Sequence, residues 1–158
     1  MFVFSIKSKK FKVFAASVIV LLVAGGIFFV TSANKPASKS DAVNYSAKNS
    51  AERLSFISQF GWEADEEPLE VEEVIIPKEF NDTYVKYNEI QKTQGLDLSS
   101  YAGVRAKRWT YALKNYDGYP ADGKTVRVNL LIYDGRVIGG DVCSVELNGF
   151  MHGFASRN

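Results

Sequence analysis

The chain is short of the residue types that do chemistry: among its 158 residues stand one cysteine, Cys143, and one histidine, His152. One cysteine cannot close an internal disulfide, so any domain here must stand on its hydrophobic core alone. Asp141, Cys143 and His152 match no zinc-ligand spacing. The acids never fall into the Asp-x-Asp-x-Asp-Gly alternation that wraps a calcium ion. No metal and no cofactor is therefore expected. Charge-free apolar runs long enough to cross a bilayer are also scarce. There is one, Val13 to Val30.

That run has eighteen residues, and Lys7, Lys9, Lys10 and Lys12 stand directly before it. At about 1.5 Å per residue a helix of this length reaches roughly 27 Å, enough to span hydrocarbon. Basic flanks stay cytoplasmic, so a single-pass protein of the cell membrane is expected, its C-terminal domain outside. A cleavable signal ending at Ala33 is the rival reading, but the run is longer than the usual h-region. Lipid attachment would need a cysteine just after the run, and there is none. A buried core helix sits poorly with all-round apolarity in so small a chain. The expected organisation is a cytoplasmic basic segment over 1–12, a transmembrane helix over 13–30, a flexible stalk over 31–50 and an ectodomain over 51–158.

The ectodomain divides by charge. Residues 51–103 carry 12 acids against 4 bases and residues 104–158 carry 5 against 8, giving −8 and +3. Seven of the acids fall between Glu63 and Glu73. Such a run would repel phosphate, which argues against nucleic acid as a partner. It is read as a solvated face or as one half of an attraction between the two parts of the domain.

Local signals place the elements. Asn49 with Glu52 three residues on opens a helix whose face carries Ala51, Leu54 and Ile57, and Gly61 stops it. Leu69 to Ile76 reads as a strand that Pro77 confines to an edge or an end. A second helix runs from about Asp82 to Thr93, with Gly95 after it. Leu96 to Gly103 is a loop with one helical turn. Three strands follow: Val104 to Asn115, Thr125 to Tyr133 and Arg136 to Val145. Asp134-Gly135 between the last two fits a type I′ hairpin turn. It sets Ile132 opposite Val137, Leu130 opposite Gly139, Val128 opposite Asp141 and Val126 opposite Cys143. Asp141 then faces an apolar row, and a bulge at Gly139-Gly140 is expected to turn it away. The fold class is α+β, with two helices packed on an antiparallel sheet that ends in a β-meander.

Few residues suggest a site. Gly118 to Thr125 satisfies the P-loop pattern G-x-x-x-x-G-K-[ST], but alternating β-branched residues follow it. A phosphate loop needs a helix there, so no nucleotide is expected. Cys143 and His152 are the pair a small hydrolase or thiol enzyme would use, yet nothing in the sequence brings the base to the nucleophile. The tryptophans Trp62 and Trp109 are expected in the core. Tyr116 and Tyr119, in a turn-rich loop, and Glu66, Glu67 and Glu70, in the acidic run, are the candidate binding surface.

One group of segments carries a likeness to a known family. These are Phe60-Gly61-Trp62, Val74-Ile75-Ile76-Pro77 with Phe80, Tyr87-Asn88, Gln94-Gly95, the run Tyr133 to Val142, and Gly149-Phe150-Met151-His152-Gly153. Together they resemble the family catalogued as domain of unknown function 4830, over about Ala51 to Phe154. The resemblance implies a short, membrane-anchored protein of a Gram-positive cell surface and supplies no catalytic residue. The expected function is a non-enzymatic interaction module at the outer face of the cytoplasmic membrane. It would hold to the lipid bilayer through 13–30 and meet a protein or an envelope polymer.

Overall fold

The computed structural model describes residues 42–122 and 125–155. The basic segment, the apolar run over 13–30, the first part of the expected stalk and Lys124 of the P-loop pattern lie outside the described residues. No described helix is long and apolar enough to cross a membrane.

Helix α1 (Ser50–Ser58) begins where the Asn49 side chain accepts the Glu52 N–H. The Glu52 carboxylate turns back to accept from the Lys48 N–H at 2.8 Å and the Ser46 hydroxyl at 2.7 Å. This reciprocal arrangement satisfies N–H groups that a helix start leaves free. Gly61, at φ 79°, ends the segment. The buried residues of α1 are Arg53, Phe56 and Ile57, while Ala51 is exposed and Leu54 half-buried. The expected Ala51–Leu54–Ile57 face is thus rotated. The helix meets the core with its larger ring instead, because Phe56 removes more apolar area from water than Ala51 can.

Strand β1 (Glu70–Ile75) stops short of Pro77 and forms one edge of a five-stranded antiparallel sheet in the order β1-β2-β3-β4-β5. The others are β2 (Arg105–Ala112), β3 (Val126–Tyr133), β4 (Arg136–Ser144) and β5 (Met151–His152). Helix α2 (Asp82–Thr93), capped by the Asn81 side chain, and a 3₁₀ turn (Leu98–Tyr101) lie between β1 and β2. Charge joins the two halves of the domain along β1: Arg108 reaches Glu72 at 2.6 Å and Glu70 at 3.6 Å, and Arg105 reaches Glu73 at 2.7 Å.

Alternation along β3 assigns the two faces of the sheet. Val126, Val128, Leu130 and Ile132 join Val137 and Val142 against Phe56 and Ile57 of α1, with Trp62, Tyr111 and Phe154. Leu131 on the reverse face joins Ile76, Leu98, Ala106 and Ile138, with Tyr84 and Tyr87 of α2 against them. The helices therefore cover opposite faces. Trp62 is buried, its indole N–H donating to the Phe154 carbonyl at 2.6 Å. Trp109 is half-buried and carries the Arg53 guanidinium 3.6 Å above its ring.

At the β3–β4 turn Asp134 has φ 48° and Gly135 φ 69°, both positive as a type I′ turn requires. Ile132 pairs with Val137, as expected, but Leu131 then pairs with Gly139, so the bulge leaves Ile138 as the extra residue. It lies just before Gly139-Gly140 and shifts all later pairs by one. Asp141 stands opposite Asn129 and Cys143 opposite Arg127. Asp141 is turned from the apolar row, as expected. Cys143 goes with it and does not face Val126, because one inserted residue changes the face of every residue beyond it.

The stalk expected over 31–50 gives way to packed structure before residue 50. Ala47 N–H donates to the Gly135 carbonyl, Val137 N–H donates to the Tyr45 carbonyl, and Ala47 is buried. Tyr45 packs on Phe56. Hydrophobic sparsity had marked this stretch as loose, yet these two backbone bonds fasten it to the hairpin.

Candidate functional site

A polar face of α2 builds the site. Tyr84, Tyr87, Asn88 and Gln91 recur at helical spacing and turn to the sheet, and Gln91 is fully buried. Its side-chain oxygen accepts the Gly140 N–H at 2.8 Å, while Gln94 donates to the Gly140 carbonyl at 3.0 Å and accepts the Phe154 N–H at 2.8 Å. Asn88 accepts the Leu98 N–H at 2.8 Å. The bonds to Gly140 clamp the C-terminal end of α2 to β4, and the others tie it to the 3₁₀ turn and to Phe154. Toward its N-terminal half the helix stands off, leaving a cleft of about 480 Å³. That volume lies within the range of small-molecule sites.

The walls of the cleft are apolar: Val74 and Ile75 from β1, Ile90 from α2, Leu131 from β3 and Met151 from β5. Its floor is polar. Asp141 is 3% exposed and accepts from the Tyr87 hydroxyl and from Asn129 Nδ2, each at 2.9 Å. Asn129 in turn accepts from Thr110 Oγ1 at 2.8 Å and lies 3.4 Å from Cys143 Sγ. Burial raises the pKa of Asp141, although bonds from Asn129, Tyr87 and Cys143 and the charge of Arg108 pull the other way. Burial, with the Asp141 charge beside it, pushes the Cys143 thiol up to about 12. It also raises Tyr87 well above the ordinary phenol. A thiol so shifted carries almost no thiolate at neutral pH and is a poor nucleophile.

Cys143 and His152 do not meet. Cys143 pairs with Met151 and Val142 with His152, so successive residues point the thiol and the imidazole to opposite faces of the sheet. His152 Nδ1 lies 2.7 Å from the Gly153 carbonyl, which can only accept, so in the neutral ring Nε2 accepts from the Tyr116 hydroxyl at 2.9 Å. Around it Tyr116 stacks on Trp62 and Phe150 with ring centroids 5.4 and 4.5 Å apart, and Tyr119 meets Tyr116 edge-on.

The sequence-derived surface residues are thus dispersed. Tyr116 and Tyr119 are half-buried in the aromatic stack, Glu66 and Glu67 are exposed in the preceding loop, and Glu70 faces Arg108 across the sheet. Among the described residues no three His, Cys, Asp or Glu side chains could hold a metal together. The P-loop pattern joins two antiparallel strands and is followed by β3. What sequence reasoning missed is the floor: Tyr87, Asn129 and Asp141. A carboxylate in a strand row otherwise apolar, beside two glycines, was the available signal.

The family model described as Domain of unknown function (DUF4830) matches residues 56–142. No curated protein and no solved structure matches.

Proposed function

This chain belongs to the DUF4830 family, and from that premise we propose that it is a non-enzymatic interaction module, anchored in the cell membrane through residues 13–30 and working outside. Its binding site is the cleft beneath α2, where it engages a protein or an envelope polymer. One observation carries this reading: apolar walls surround a polar floor whose donors are already oriented on Asp141. A preformed, mostly apolar cavity with few converging polar groups is the usual form of a binding site. The runner-up, an enzyme using Cys143 and His152, is disfavoured by their opposite directions from the sheet.

Photo-crosslinking in intact cells tests the proposal. A benzophenone residue at Met151, which lines the cleft and is half-exposed, should give a discrete adduct, and one at fully exposed Leu147 should not. Blocking the cleft with Leu131→Trp should abolish the Met151 adduct. Equal adducts at both positions, or none at Met151, would refute the cleft as the binding site.

A further inference from the structure

Asp141 is a buried carboxylate with no cation among the described residues in direct contact with it. Its donors, the Tyr87 hydroxyl, the Asn129 amide and the Cys143 thiol, are neutral, and among the described residues no ion pair reaches it. Buried charges are ordinarily paired, because desolvation is costly. Arg108 lines the cleft and acts on Asp141 through its charge, but it pairs through Nη2 with Glu72 and Glu70, while its buried Nε has no hydrogen-bond partner among the described residues. Lys86 also lines the cleft, yet its residue is exposed on α2 and screened by solvent.

The rest of the cleft has the matching chemistry. The rings of Tyr84 and Tyr87 lie 5.9 Å apart, tilted edge to face, and both line it. Aromatic faces attract cations, most strongly where water is excluded. Ile75 and Met151, 59% and 50% exposed, offer apolar surface that an aliphatic stem would cover. We propose that this cleft receives an aliphatic ammonium group, its nitrogen against Asp141 and the Tyr84 and Tyr87 rings, its stem along the apolar walls.

The assignment rests on the reading of the cleft as the binding site and adds to it the charge of what enters. An anion would meet the Asp141 carboxylate, and a neutral alcohol would leave it unpaired. The groups facing Asp141 are Tyr84, Tyr87 and Lys86 from α2, Arg108 from β2 and Cys143 on its own strand, with Asn129 from β3 uncharged. Asp141 is the one among them that burial shifts from the acid side toward neutrality. A cation favours its ionised form, so binding should release a proton at acid pH, and affinity should rise as pH rises through the raised value.

The test is titration calorimetry on the full-length chain with n-octylammonium, n-octanol and n-octanoate. The ammonium should bind at least tenfold more tightly than the alcohol, and the carboxylate most weakly. Asp141→Asn should erase the preference. Should that variant fail to fold, Tyr84→Leu should lower ammonium affinity severalfold, and the pH profile of the unaltered chain should still climb from acid to neutral. Displacement by a lysyl peptide or by a glucosamine oligomer would support the assignment and tell a protein carrier from a polymer. Equal binding of alcohol and ammonium, tighter binding of octanoate, or binding of none of the three would overturn it. The first two would leave the cleft itself standing, which the Met151 crosslink tests separately.

Discussion

Replacing Gly140 by alanine should cost about 3 kcal/mol or more, read as a fall in the midpoint of urea unfolding. Gly140 sits at φ 151°, and a Cβ there would lie 2.1 Å from the Asn129 carbonyl oxygen and 2.5 Å from Phe154 Cζ. The first contact is with backbone of the neighbouring strand, which cannot swing aside as a side chain would. Relief would pull β4 from β3 and loosen the bonds from Gln91 and Gln94 that hold α2 down. Gly95→Ala is the control. Its φ of 76° carries the same kind of backbone penalty, but nothing stands within 4 Å, so the loss should stay near 1 kcal/mol.

Phe56→Ala should be of similar or greater size, about 3–5 kcal/mol. Phe56 is fully buried, and its ring meets Tyr45, Phe60 and Phe154 with centroids 5.8, 5.2 and 5.0 Å away. Those neighbours come from the segment before α1, from α1's own end and from the far end of the chain. The cavity would therefore open where three separate stretches converge, and no single one could fill it. Loss of heat stability with the secondary structure retained below the transition is the expected result.

Much of the fold was legible because it depends on local rules. Asn49 announced a helix start, Asp134-Gly135 a hairpin, and Pro77 an edge or an end of a strand, each through backbone chemistry confined to a few residues. The site was less legible because it depends on a register. Whether Cys143 faces Val126 or the side of the sheet that carries Asp141 turns on a single inserted residue, Ile138, and apolar alternation reads nearly the same either way. Tyr87, Asn129 and Asp141 come from three elements and converge only once that bulge is in place. Conversely, Tyr116 and Tyr119 looked like free loop aromatics because Phe150 and Trp62, which they pack against, lie more than thirty and fifty residues away from Tyr116 in the chain.

The claim at the centre is that the floor of Tyr87, Asn129 and Asp141, with Cys143 beside it, belongs to a binding cleft and not to a thiol enzyme. Labelling of Cys143 with a thiol reagent in the folded chain tests it most directly. With the thiol pushed up to about 12 by burial and by Asp141, reaction at neutral pH should be on the order of a hundredfold or more slower than for a free cysteine. It should accelerate when denaturant dissolves the floor. Labelling of the folded chain as fast as free cysteine, or faster, would mean an activated thiol and would contradict the account.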